Sequence, residues 1–157
     1  MKAAIVMGSK SDYPVVERAE SIFKEFGVDY ETRIISAHRT PRIAEGFASG
    51  AEENGIEVII AAAGKAAHLG GVLAAYTAMP VIGLPVKSST LDGLDSLLSM
   101  VQMPKGIPVA TVAIDGAENA ALLAVQILSV KYPELREKMK RYKAKMEEDI
   151  IQQDREL

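Results

Sequence analysis

The chain has 157 residues and a formal net charge of −3, with no Cys and two His. Without Cys, disulfide frameworks, Cys-ligated zinc, iron–sulfur clusters and Cys nucleophiles are excluded, and two His outside an HExxH motif predict no metal site. The negative charge offers no general attraction to nucleic acid, and no run of about 18 apolar residues predicts a membrane span, so we expect a single-domain cytoplasmic protein.

Five short runs of residues predict strands. Apolar runs without alternation suit parallel strands that helices cover on both faces, while alternation of side chains indicates a strand in the second run. The predicted strands are Ala3–Met7, Tyr30–Ile34, Val58–Ala63, Val81–Pro85 and Pro108–Ala113.

Helical signals follow each predicted strand. Thr40 is a candidate N-cap with Pro41 at the first helical position, and Gly27 and Gly55 are natural helix ends. The helices are expected over 14–26, 41–54, from the turn at 64–65 to about 79, from about 92, and over 118–130. Alternating strands and helices with short connections predict an α/β fold, an open parallel sheet with helices on both faces.

The last part of the chain has a different character. Residues 131–157 carry fifteen charged side chains, whereas residues 58–114 carry five. One apolar stripe runs along the predicted C-terminal helix at steps of four, three, four and four: Leu135, Met139, Tyr142, Met146 and Ile150. The stripe packs either on its own domain or on a neighbouring subunit, and the pattern alone favours neither.

Ligands of open α/β sheets bind at the carboxyl ends of the strands, near the point where the strand order reverses. Four segments follow predicted strands and are candidates for that position: Gly8–Asp12, Ser36–Thr40, Gly64–Gly71 and Lys87–Thr90. Both His of the chain fall within this set, which makes proton transfer at the site a possibility to test.

The first segment has the composition of an anion cradle. Ser9 and Ser11 supply hydroxyls and Lys10 a cation, at the N-terminus of a predicted helix. It is neither a Walker A loop nor a GxGxxG fingerprint. The alternative is that Ser11 or Asp12 merely caps the helix. A carboxylate such as Asp12 binds phosphate poorly but accepts hydrogen bonds from sugar hydroxyls well.

The second segment places a hydroxyl, an imidazole and a guanidinium close together, as Ser36, His38 and Arg39. Arg suits bidentate recognition of phosphate, and His exchanges protons near neutral pH. A lone loop His is often merely structural, but its proximity to Arg39 favours a functional role. In the third segment, Gly and Ala would let a ligand approach closely, or would serve helix packing with His68 as a structural hydrogen-bonding residue.

Five motifs in this order resemble the N5-carboxyaminoimidazole ribonucleotide mutases, carboxylation enzymes of de novo purine biosynthesis. The motifs are Met7–Asp12, Ser36–Pro41, Ala66–Leu69, Gly93–Leu98 and Val101–Pro104. The resemblance covers residues 3 to about 130. It implies a flavodoxin-like three-layer α/β/α sandwich with strand order 2-1-3-4-5, and a homo-octamer with active sites at subunit contacts. The organisation that the resemblance implies is one catalytic domain over 1–157, with an α/β core over 1–130 and a helical extension over 131–157 that packs between subunits.

The resemblance also implies a reaction and a set of site residues. An isomerase of this family moves a carboxyl group from the exocyclic nitrogen of an aminoimidazole ribonucleotide to ring carbon 4, without cofactor or metal. His38 matches the catalytic histidine. The residues that match substrate-binding positions are Ser9, Ser11, Asp12, Ser36, Arg39, Gly64, Ala67, His68 and Leu69.

The third motif departs from the family pattern at two positions. Lys65 stands where the related enzymes usually have Gly, and Gly70 stands where they usually have Pro. Two alternative functions stay open. One is direct carboxylation of aminoimidazole ribonucleotide with CO₂, although enzymes of that type tend to have Lys where this chain has Arg39. The other is a non-catalytic nucleotide-binding domain, in which His38 would be dispensable.

Overall fold

The computed structural model describes all residues 1–157 and contains one parallel sheet of five strands. The strands are β1 (Lys2–Met7), β2 (Asp29–Ile34), β3 (Val58–Gly64), β4 (Val81–Val86) and β5 (Ala110–Thr111). Their order in the sheet is β2-β1-β3-β4-β5, and every neighbouring pair is parallel. The parallel α/β sheet is the fold class that the sequence pattern predicts, and the strand order is the one that the resemblance implies.

Six α-helices accompany the sheet. They are α1 (Tyr13–Phe26), α2 (Pro41–Ser49), α3 (Leu69–Tyr76), α4 (Leu94–Val101), α5 (Ala117–Leu128) and α6 (Pro133–Arg155). Short 3₁₀ turns, Lys10–Asp12 and Leu91–Gly93, precede α1 and α4. No helix combines the length and the hydrophobicity that crossing a membrane requires.

The helices form a layer on each face of the sheet, because successive strand residues point to opposite sides. Ile5 and Met7 of β1 belong to the core beneath α1, α5 and the first half of α6. Ala4 and Val6 of the same strand belong to the core shared with α2, α3 and Met100 of α4. The result is the three-layer α/β/α sandwich that the resemblance implies.

Several predicted boundaries are wrong. The second helix ends at Ser49 rather than near residue 54, because Gly50 ends it and the chain continues in turns to Gly55, whose φ is +72°. The third helix starts only at residue 69 and ends at 76, and the fifth strand keeps two residues because it pairs with β4 only there. The fourth helix does not start at Asp92, which is left-handed with φ of +52°, but after Gly93.

The C-terminal helix α6 is anchored to the core by its first half only. Leu135 and Met139 are buried, and the Tyr142 ring lies 5.6 Å from the Phe26 ring, centroid to centroid. Further along the stripe, Met146 is 50% exposed and Ile150 is 65% exposed. The first half of the stripe therefore packs on its own domain, and the side chains of the second half are left largely exposed.

Candidate active site

A cleft of about 580 Å³ opens at the carboxyl ends of β1, β2, β3 and β4. It lies where the strand order reverses between β1 and β3, as expected for an open α/β sheet. Seven of the predicted site residues line it: Ser9, Ser11, Asp12, Ser36, His38, Arg39 and Gly64. All four candidate segments contribute to its wall.

The loop after β1 is organised by its two serines. The Ser9 hydroxyl oxygen accepts hydrogen bonds from the backbone N–H of Ser11 at 3.3 Å and from the Ser11 hydroxyl at 2.9 Å. Ser9 thereby caps the 3₁₀ turn, whereas Asp12, at the N-cap position of α1, makes no side-chain cap. The suggestion that Asp12 merely caps the helix is therefore wrong, and its carboxylate is left for the cleft.

The carboxyl group of Asp12 is partly buried. Burial raises the pKa of this carboxyl, while the hydrogen bonds from Ser11 and Ser9 and the positive charge of Arg39 act in the opposite direction. A ligand that donates a hydrogen bond to this carboxylate would stabilise its ionised form, which burial makes less favourable.

Arg39 ties two loops of the cleft together. Its Nη2 donates to the Gly8 carbonyl at 3.0 Å, and its Nε donates to the Ser36 hydroxyl at 3.3 Å. Ser36 is itself held by Thr40, whose hydroxyl donates to the Ser36 carbonyl at 2.9 Å and accepts from the Ser36 N–H at 3.0 Å. Thr40 thus stands at the N-cap position, as predicted, but its side chain fixes the β2 loop instead of capping α2.

The two His of the chain are in contact, although thirty residues separate them in sequence. The Nε2 of His38 lies 2.9 Å from the Nδ1 of His68, and the rings meet edge to face at 87°. A hydrogen bond between two imidazole nitrogens requires one to carry the proton and the other to accept it. His68 therefore contacts a residue of the cleft wall, His38, and presents to it either a hydrogen-bond donor or a hydrogen-bond acceptor.

The loop after β3 divides into exposed and buried parts. Gly64 and Lys65 line the cleft, together with Ala66. Ala67 and Leu69, which the resemblance makes substrate-binding, are 1% and 3% exposed and belong to the core beneath α2 and α3. The structure does not bring these two side chains into the cleft, because both are buried in that core.

The loop after β4 contributes Lys87 and Ser88, which the sequence places at a strand end without assigning them a role. Asp115 accepts from the Lys87 N–H at 2.8 Å, and Asp95 accepts from the Ser88 hydroxyl at 3.1 Å. The Lys87 ammonium lies 3.2 Å from Asp92. Three aspartates therefore hold this wall of the cleft, and one of them, Asp115, comes from a segment distant in sequence.

The site offers no metal-ligand cluster. No group of three or more His, Cys, Asp or Glu side chains in the chain could hold a metal ion, and every buried side-chain polar atom has a hydrogen-bond partner. The cleft instead combines hydroxyls, cations and an imidazole pair, a set suited to binding an anionic, hydroxylated molecule and to moving protons.

Residues 2–149 match the family described as AIR carboxylase. The chain belongs to this family. A relative from Pyrococcus abyssi, named N5-carboxyaminoimidazole ribonucleotide mutase, is 64% identical over 145 residues, which is 92% of this chain and 83% of that protein. A protein of the same name from Thermotoga maritima is 56% identical over 156 residues, covering 99% and 91% of the two chains.

A solved structure and a plant protein are also similar to this chain. The crystal structure of Treponema denticola PurE superimposes with a TM-score of 0.89 at 32% identity, covering 99% of this chain and 98% of that one. The chloroplastic phosphoribosylaminoimidazole carboxylase of Vigna aconitifolia is 52% identical over 152 residues, or 97% of this chain but 27% of that longer protein. These matches confirm the resemblance drawn from the five motifs.

Proposed function

We propose that this protein is an N5-carboxyaminoimidazole ribonucleotide mutase of purine biosynthesis. The observation that carries the proposal is the position of His38 beside Arg39 and Ser9 in one cleft, in a chain that matches named mutases over nearly its whole length. The reaction is an isomerisation, in which the carboxyl group leaves the exocyclic nitrogen and joins ring carbon 4.

The cleft is suited to the ribonucleotide part of this substrate. The serine loop and the Arg39 guanidinium provide donors for the 5′-phosphate, since Arg pairs with phosphate through charge-assisted hydrogen bonds. Asp12 accepts from the ribose hydroxyls. Ser11 and Ser36 add further polar contacts, and Gly64 lets the base approach the backbone of the β3 loop.

The imidazole pair supplies the proton transfers that the chemistry requires. Breaking the bond between nitrogen and the carboxyl carbon releases CO₂, and the nitrogen gains a proton. Ring carbon 4 then attacks CO₂ and afterwards loses its own proton. His38 gives the first proton and takes the second, so the reaction is balanced with no net change in protons. His68, hydrogen-bonded at 2.9 Å, orients His38 and completes the path of the proton.

CO₂ must be held next to the ring until it is captured, which calls for a closed and weakly hydrated chamber. Proximity of this kind can be worth on the order of 7–11 kcal/mol in well-oriented reactions. The expectation that Ala67 and Leu69 line such a chamber is not met within one chain, because both side chains are buried in the core. Ala66 is the one apolar side chain in the cleft wall.

We therefore propose that neighbouring subunits close the site in a homo-octamer. The apolar half of the α6 stripe, with Met146 and Ile150 exposed, supports an assembly of this kind. A second exposed apolar row lies around α4, where Leu91, Leu94 and Leu98 are each at least 46% exposed. Residues 131–157 would then act as the extension that packs between subunits, within a single catalytic domain.

The proposed enzyme works without cofactor or metal and acts on a small-molecule ribonucleotide, with no nucleic acid or membrane as partner. Since a phosphorylated and carboxylated nucleotide does not cross membranes unaided, we propose that the protein works in the cytoplasm, where such a substrate is made.

The decisive experiment supplies two substrates separately, without ATP. One is the N-carboxylated ribonucleotide, and the other is aminoimidazole ribonucleotide with bicarbonate. Rapid conversion of the first alone, followed by the absorbance of the carboxylated product, supports the mutase. If the second alone is converted, the protein is a direct carboxylase, the alternative that the name of the Vigna aconitifolia relative supports. Conversion of neither would leave a nucleotide-binding domain.

A further inference from the structure

Lys65 occupies an unusual position in the wall of the cleft. It is the first residue after β3, its side chain is exposed, and it lines the cleft. In the sheet β1 lies between β2 and β3, so the serine loop after β1 lies between the Arg39 loop and the Lys65 loop. Its backbone is left-handed, with φ of +55°. A non-glycine residue in this conformation costs roughly 1 kcal/mol relative to Gly, so its side chain is a candidate for a role that offsets the cost.

The Lys65 ammonium is the cation of the cleft that the protein leaves unengaged. Arg39 donates to the Gly8 carbonyl and the Ser36 hydroxyl, and Lys87 lies 3.2 Å from Asp92. Lys65 makes no ion pair and no side-chain hydrogen bond. An anion entering the cleft would therefore find Lys65 able to turn toward it without breaking an existing contact.

We propose that Lys65 binds the 5′-phosphate of the ribonucleotide substrate from the side opposite Arg39. This inference rests on the function proposed above and deepens it. A phosphate at the serine loop would then be held between a guanidinium on the β2 loop and an ammonium on the β3 loop. The two cations together balance the double negative charge of a phosphate monoester, while Asp12 stays free for the ribose.

The chemistry of the reaction favours the phosphate over the travelling carboxyl group as the partner of Lys65. A cation paired with the carboxylate stabilises the ground state, and that stabilisation disappears when neutral CO₂ leaves. Such a contact would slow the first step. The phosphate keeps its charge throughout, so binding it stabilises substrate and transition state equally and lowers KM without changing kcat.

The test compares Lys65→Met, which keeps length and removes charge, with Lys24→Met as a control. The control substitution removes the same charge from Lys24, which lies in the last turn of α1, away from the carboxyl ends of the strands. We expect Lys65→Met to raise KM about 5- to 20-fold with kcat unchanged, and Lys24→Met to leave both unchanged. Lys65→Arg should restore much of the affinity.

Binding measurements identify the anion. Aminoimidazole ribonucleotide, its 4-carboxylated form and ribose 5-phosphate all carry phosphate, and only the second carries the carboxyl group. Equal weakening of all three by Lys65→Met supports the proposal. Weakening confined to the carboxylated ligand, or no weakening at all, overturns it. Because binding is measured without turnover, weaker phosphate binding in a protein that proved to have no mutase activity would uphold the Lys65 site and reject the proposed function.

The Lys65→Gly variant distinguishes the effect of the lost side chain from that of a disturbed backbone conformation. Gly adopts φ of +55° freely, so this variant should be at least as stable to heat as the parent protein. We expect it nevertheless to lose the same phosphate affinity as Lys65→Met. Because this variant is expected to be stable, a loss of affinity in it could not be attributed to loss of folding. A Lys65→Gly variant with full affinity for phosphate would overturn the proposal.

Discussion

The Nε2 of His38 and the Nδ1 of His68 lie 2.9 Å apart, so the two imidazoles of this chain form one hydrogen-bonded pair. One proton is shared along that contact. In the mechanism proposed above, the orientation of the proton carrier His38 therefore depends on its contact with His68.

Replacement of His38 is expected to remove most of the activity. His38→Asn keeps a polar side chain but cannot exchange a proton, so kcat should fall by about 10²- to 10⁴-fold, the usual contribution of a general acid–base. His68→Asn should cause a smaller loss in kcat, because His38 remains but loses its partner. Steady-state kinetics with the N-carboxylated substrate measures both effects. Full activity in His38→Asn would remove the proton-transfer assignment.

Arg39→Ala is expected to act mainly on affinity. The variant loses a charge-assisted contact to phosphate and also the bonds to the Gly8 carbonyl and to Ser36, so KM should rise about 10- to 100-fold. Arg39→Lys keeps the charge without the planar guanidinium, so its KM should lie between that of the parent protein and that of Arg39→Ala. If neither substitution changes the KM or the measured Kd of ribose 5-phosphate, phosphate is bound elsewhere.

Asp12→Asn should weaken ribonucleotide binding and slightly raise the stability of the folded protein at pH 7. Burial raises the pKa of Asp12 in the folded protein above its ordinary value, so the ionised carboxylate costs stability at neutral pH, and this cost disappears as the pH falls through the raised pKa. We expect the Asn variant to melt at a slightly higher temperature at pH 7 and at the same temperature as the parent near pH 3. Its affinity for the ribonucleotide should fall. A lower melting temperature at pH 7 would contradict this account.

Glu57 joins the start of α6 to the core and should contribute a pH-dependent part of the stability. Burial alone would favour its neutral form, but hydrogen bonds from Lys131 and Tyr132, both at 2.7 Å, hold its pKa below the ordinary value. The stability it adds is present above the pKa of the unfolded chain and is lost as the pH falls through the folded pKa.

Glu57→Gln should therefore lower the free energy of unfolding by about 1–2 kcal/mol at pH 7, with the difference shrinking in acid. Urea denaturation at pH 7 and at pH 3 measures this. Lys140→Gln is a matched control, because the pair between Lys140 and Glu137 is exposed and should contribute little. A Glu57→Gln deficit that is equal at both pH values would indicate lost packing instead of a lost charge.

The apolar end of α6 should govern assembly rather than folding of the subunit. Ile150→Asp places a charge on a side chain that is 65% exposed in the isolated subunit, so the secondary structure of the subunit should be unchanged. We expect the assembly to dissociate into smaller species in sedimentation velocity, with activity falling in parallel. Glu147→Asp, a substitution on the same helix that keeps the charge, serves as control. A sedimentation coefficient that Ile150→Asp leaves unchanged would remove this half of the stripe from the proposed interface.

The boundaries that sequence reasoning missed share a physical cause. Propensity does not show that Gly50 ends α2 five residues before the predicted end, because Gly within an apolar pattern is compatible with a helix. Asp92 is a favourable helix-capping residue by type, yet its φ of +52° is set by the turn that connects β4 to α4. In both cases the contacts of the folded chain outweigh the local preference.

The fold class, the four strand ends that form the cleft and seven of the residues that line it could be predicted from the amino-acid pattern. The reason is that the hydrophobic pattern identifies parallel strands, and the carboxyl ends of parallel strands lie at one edge of the sheet. The contact between His38 and His68, the burial of Ala67 and Leu69 and the absence of a partner for Lys65 are visible only in the folded chain. These properties depend on distances between loops remote in sequence, and packing of the whole sandwich sets those distances.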